Sequence, residues 1–150
     1  MTISEFNEIL DFAVAREREA VAFYRDLQKE AKFQGQLKML QDLEAMELGH
    51  IAVIEGIRRD GVLETDIPKV QNLKISEYIT VDVDSLDLSY QNILIRGMKR
   101  EEASFKLYTE LSVKFGDSEL ATLFRKLASD EAKHKLFFEK LYDEWIGAGN

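Results

Sequence analysis

Residues 43–57 read LEAMELGHIAVIEGI, and residues 127–141 read LASDEAKHKLFFEKL. In each stretch a glutamate precedes a histidine by three residues, Glu47 before His50 and Glu131 before His134. In each, apolar residues fall where a helix would bring them onto the same face: Leu43, Ile54 and Ile57 in the first, Leu127, Phe138 and Leu141 in the second. Side chains at i, i+3, i+4 and i+7 line one side of an α-helix. Each stretch is therefore read as an amphipathic helix with a carboxylate and an imidazole set into its apolar stripe. His50 and His134 are the two histidines of the chain.

Upstream, a second pair of motifs repeats. Glu17 is followed seven residues later by Tyr24, and Glu101 by Tyr108. The four positions 17, 24, 47 and 50 recur at 101, 108, 131 and 134, one constant offset of 84 residues. Ile9, Leu10, Arg16, Leu27, Leu43 and Glu55 find identical residues at the same offset. The chain is read as one helical hairpin duplicated.

The periodicity extends to four helices. The first is expected from about Ser4 to Phe33, capped by Thr2 or Ser4, with Ile3, Phe6, Leu10, Ala13, Glu17, Ala20, Tyr24, Leu27 and Ala31 on one stripe. The second follows Gly35 and stops at Gly61. The third is expected over Ser89–Phe115, with Leu94, Met98, Glu101, Phe105, Tyr108 and Leu111 inward. Gly116 then gives a stop and Asp117 an N-cap. The fourth runs to about Trp145, with Leu120, Phe124, Leu127, Glu131, His134, Phe138, Leu141 and Trp145 inward. Asp130, as the neighbour of Glu131, is expected to face outward.

The expected fold class is all-α, a four-helix bundle made of two repeated helical hairpins with one long crossover connection. It is read as a single domain over 1–150: hairpin 1 at about 2–61, crossover at about 62–88, hairpin 2 at about 89–146. Hairpins related by a two-fold axis perpendicular to the bundle leave the end of the second helix roughly 40 Å from the start of the third. Extended chain needs about a dozen residues for that span, and the 62–88 segment supplies more. This segment holds the single proline, Pro68, and is read as a connection with one short helix around Ser76.

Composition narrows the chemistry. The chain has 150 residues, 45% hydrophobic and 32% charged, in the range of an ordinary globular domain. It holds no cysteine, which excludes disulfides, iron–sulfur clusters and thiolate metal sites within these residues. A net charge of −8 and no basic face argue against a nucleic-acid partner. No apolar run is long enough to span a membrane, and no signal segment is evident at the N-terminus. A cytoplasmic location is expected, with no membrane partner.

If the four stripes are taken together, Glu17, Glu47, Glu101 and Glu131 point inward at similar height. Four bare carboxylates in an apolar core would each cost several kcal/mol. Two divalent cations balance the four negative charges, and His50 and His134 add one neutral nitrogen donor per metal. Mixed carboxylate and imidazole donors suit iron or manganese, and zinc is compatible on ligand type. Glu47 and Glu131 are assigned as metal-bridging, because each shares a helix face with a histidine. Glu17 and Glu101 are then terminal ligands. Tyr24 and Tyr108, two turns beyond those ligands on the same face, are expected to donate to a ligand carboxylate, the alternative being core aromatics whose hydroxyls reach solvent.

This doubled set, Glu-x6-Tyr followed by Glu-x-x-His, resembles the ferritin-like superfamily and, within it, the rubrerythrin-like branch. The likeness covers nearly all of the chain outside 62–88. It implies a four-helix bundle with one long crossover, two iron ions held by Glu17, Glu47, His50, Glu101, Glu131 and His134, oxygen or peroxide chemistry, and homodimers. Three departures qualify it. No rubredoxin-like cysteine domain is present, so electrons are expected from a separate donor protein. No additional glutamate lies one turn from Glu101. No fifth helix follows Trp145, so a storage shell is not expected.

Three functions compete. The first is a rubrerythrin-like peroxidase or oxygen-reducing oxidoreductase acting on hydrogen peroxide or dioxygen. The second is an iron-binding, ferroxidase-type protein that handles iron without an organic substrate. The third is a hydroxylase acting on a carbon substrate, which requires an apolar pocket beside the metals.

Overall fold

A computed structural model describes residues 1–29, 37–61, 90–116 and 118–148. They form four α-helices: α1 (Ile3–Gln28), α2 (Leu37–Asp60), α3 (Tyr90–Phe115) and α4 (Glu119–Gly147). There is no strand among the described residues. The all-α, four-helix class expected of a ferritin-like chain therefore stands. No helix among the described residues is long and apolar enough to cross a membrane.

The chain divides into two compact units, residues 1–75 and 76–150, and each holds one hairpin. In the first, ion pairs join Arg58 to Asp11, Arg18 to Glu55 and Arg25 to Glu44. Ascending α1 is thus matched to descending α2, so the two helices run antiparallel. In the second, Gln91 bonds Tyr142, and Lys135 pairs with Glu102, which gives the same sense for α3 and α4. The ion pairs lie on the outside and contribute little, about 0.2–1 kcal/mol each. Burial holds the hairpins. Phe6, Ile9, Leu10, Tyr24, Leu40 and Ile54 are fully buried in the first, and Leu94, Tyr108, Leu111, Phe124 and Phe138 in the second. Fully burying one such side chain is worth about 1.5–3 kcal/mol.

The helix ends follow from capping. Thr2 caps α1, its side chain accepting from the Glu5 backbone N–H at 3.1 Å, which decides between Thr2 and Ser4. Gly61 ends α2 at φ 77, in the left-handed region that glycine enters without penalty, and its N–H reaches the Ile57 carbonyl at 2.9 Å. Gly116 ends α3 in the same way at φ 61. The cap of α4 is Ser118 rather than the expected Asp117, since the Ser118 hydroxyl accepts from the Ala121 N–H at 3.2 Å. α1 ends at Gln28, short of the expected Phe33, and α4 continues to Gly147. The expected crossover at 62–88, its helix around Ser76, the turn at Gly35 and Ala31 lie outside the described residues.

Two inward–outward expectations are corrected. Phe105, expected on the buried stripe of α3, is 38% exposed. Asp130, expected to face water, is buried at 8% exposure and pairs with Lys126 at 3.4 Å one turn away. It precedes His134 by four residues and so shares the histidine's face, a relation that outweighs its position beside Glu131.

Candidate metal centre

In the first hairpin α1 supplies Glu17 and α2 supplies Glu47 and His50. All three are buried, with exposures of 1%, 0% and 4%. The helical spacing puts Glu47 and His50 on one face, and the antiparallel pairing brings Glu17 across to them. His50 Nδ1 lies 3.5 Å from Glu17 Oε2 and 3.9 Å from Glu47 Oε1. In the second hairpin α3 supplies Glu101, and α4 supplies Glu131 and His134. They are buried to the same degree. His134 Nδ1 lies 3.4 Å from Glu101 Oε2.

Each triad offers one donor atom per residue, all within 4.8 Å of one another: Glu17, Glu47 and His50 in one hairpin, Glu101, Glu131 and His134 in the other. The six residues expected to bind metal are thus gathered three and three. Tyr24 and Tyr108 are fully buried two turns along from Glu17 and Glu101. Tyr108 also stacks on Phe124, with ring centroids 6.4 Å apart.

The distances carry chemical information. A hydrogen bond between a charged carboxylate and an imidazolium closes to about 2.7–2.9 Å. The Glu17–His50 and Glu101–His134 approaches are longer, and neither is a hydrogen bond, although all four atoms are buried. Two donors each about 2.1 Å from one shared ion stand roughly 3–3.5 Å apart. The observed 3.5 and 3.4 Å fall at that separation. Two carboxylates, a neutral imidazole and one divalent cation sum to zero net charge, and that combination is tolerable in a core where two bare carboxylates are not. The donor set of oxygen and imidazole nitrogen, without sulfur, is the one that iron and manganese take. The residues fit a metal.

Two antiparallel hairpins, each with a buried Glu–Glu–His triad, define a helical carboxylate–histidine metal protein. The Rubrerythrin family model matches residues 8–142, and the chain belongs to that family. No curated protein and no solved structure matches it.

The sequence offers Asp130 as a weaker partner to the ligands and its adjacency to Glu131 points it outward, whereas the structure buries it beside a triad. The signal was present in its spacing of four from His134.

Proposed function

We propose that the chain is a single ferritin-like domain over 1–150 whose Glu and His triads would hold a pair of iron ions, and that the protein reduces hydrogen peroxide or dioxygen with electrons from a separate donor protein. The observation that carries this reading is the buried Glu–Glu–His triad formed twice, with His–Glu separations of 3.5 and 3.4 Å. Membership of the rubrerythrin family supports iron as the metal.

Reduction of hydrogen peroxide to two waters takes two electrons and two protons, and a ferrous pair supplies both electrons at one place. The chain supplies the rest. His50 and His134 would each offer a neutral nitrogen to one metal, with the second ring nitrogen left for an orienting hydrogen bond. Glu17 and Glu101 would be terminal ligands, and Glu47 and Glu131, each on a helix face with a histidine, would be shared between the metals. Tyr24 and Tyr108 orient ligand carboxylates through their hydroxyls. The side chains buried around the triads, Leu43, Ile54, Leu127 and Phe138 among them, keep bulk water out and so strengthen every charge interaction inside. The protein works in the cytoplasm as a homodimer on this reading.

Rapid mixing of the anaerobic, fully reduced protein with hydrogen peroxide tests it. Reoxidation within the mixing time, much faster than with dioxygen, is the expected result. Sluggish reaction with peroxide together with rapid Fe(II) consumption under air would replace it with ferroxidase-type iron handling.

A further inference from the structure

The duplicated hairpins differ where one close contact is made beside a triad. A Cβ added to Gly97 would stand 2.9 Å from Phe138 Cε1 and 3.0 Å from Cδ1 and Cζ of the same ring. Such a contact is not tolerated between carbon atoms, so α3 and α4 approach here only because residue 97 has no side chain. The ring has no room to swing aside, since Phe138 is fully buried.

The position of this contact relates it to the metal ligands. Gly97 lies one turn before Glu101 on α3, and Phe138 lies one turn after His134 on α4. In the antiparallel pair the glycine–ring contact is therefore the layer next to the Glu101–His134 approach. At the offset of 84 residues, Gly97 corresponds to Ala13 and Phe138 to Ile54, both buried. At these positions the first hairpin has a methyl and a branched aliphatic chain, and the second has no side chain and an aromatic ring. Size is exchanged between the two partners, and the Glu–His separation beside them is kept, at 3.5 and 3.4 Å.

We propose that Gly97 and Phe138 act as a matched spacer that sets the distance between α3 and α4 at Glu101 and His134, so that they are positioning residues for the second metal. The inference rests on metal binding by the triads. A methyl at residue 97 meets a ring that cannot swing aside and so pries the helices apart next to the ligand pair. The backbone itself does not suffer, because alanine is a better helix former than glycine. Lost metal affinity is then attributable to spacing and not to a weakened helix.

The test is anaerobic titration with Co(II), followed by its visible ligand-field bands, on the full chain. Wild type is expected to bind two equivalents. Gly97→Ala is expected to weaken the equivalent held by Glu101 and His134 by about 10–100-fold, the size of effect seen when groups supporting a ligand are disturbed, and to weaken the other, which shares Glu47 and Glu131, distinctly less. The double variant Gly97→Ala with Phe138→Ile rebuilds the first hairpin's combination and is expected to restore two tight equivalents. Two wild-type equivalents in Gly97→Ala, equal weakening of both, or a double variant no better than the single would each overturn the spacer. If Gly97→Ala does not fold, the double variant decides: two tight equivalents support the proposal, and one equivalent or failure to fold contradicts it. Failure of wild type itself to bind Co(II) would instead strike the metal site, so the two outcomes remain distinct.

Discussion

His134 Nδ1 stands 3.4 Å from Glu101 Oε2, although the two side chains come from different helices of the second hairpin. In the first hairpin His50 and Glu17 repeat the arrangement at 3.5 Å. A separation too long for a charge-assisted hydrogen bond, repeated in both halves and buried in both, is what a shared cation would impose. The core of each hairpin is organised around that spacing, and the following expectations derive from it.

Glu47→Gln and Glu131→Gln should trade function for stability. Each removes a buried negative charge while keeping shape, so the metal-free protein should gain about 1–3 kcal/mol. The same change removes a ligand, and paired metal binding should be lost. Denaturant titration of the metal-free variants and metal analysis after loading check the two halves of the statement. A variant that still holds two ions per chain contradicts the ligand assignment.

Metal removal should lower the melting temperature. A ligand that binds only the folded state stabilises it by about 2.7 kcal/mol at one hundred times its dissociation constant. Calorimetry with and without a chelator should show a lower transition in the stripped protein, and re-addition of Fe(II) under argon should restore it. A transition indifferent to chelator would show that the buried carboxylates are balanced by other means.

Tyr24→Phe and Tyr108→Phe should each keep both metals. Burial and packing of the rings are retained, so only the hydroxyl is lost. The expected change is in the rate of reoxidation by peroxide, read by stopped-flow absorbance, with metal content at the wild-type level. Loss of metal would make the tyrosine a ligand.

Ser118→Ala should cost about 1 kcal/mol, because the hydroxyl that accepts from the Ala121 N–H is removed at an exposed helix start. Thermal or denaturant unfolding of the metal-free chain checks it, and unchanged stability would show that the Ser118 hydroxyl does not cap α4.

Much of this was legible in the residues because helical spacing leaves few alternatives. Glu47 and His50 had to share a face, and the stripe around them had to be buried, so the triads could be read from period and repeat alone. Gly61 and Gly116 marked helix ends because a left-handed residue was needed there. What spacing does not encode was misread. Phe105 sits on the inward arc of α3 but is part-exposed, since inwardness in a two-helix unit depends on what covers the arc. Asp130 was placed outward by its adjacency to Glu131, although the buried arc of α4 is wide enough to hold both. The choice of Ser118 over Asp117 depends on one backbone turn, and neighbouring cap formers are equivalent by composition. The fit of Phe138 over Gly97 is a matter of tenths of an ångström and becomes visible only in three dimensions.

The proposed function depends most on metal binding by both triads. Anomalous diffraction at the iron edge from crystals of the iron-loaded protein tests it directly. Two peaks per chain are expected, one against Glu17, Glu47 and His50 and one against Glu101, Glu131 and His134. A single peak, or none at the triads, would contradict it.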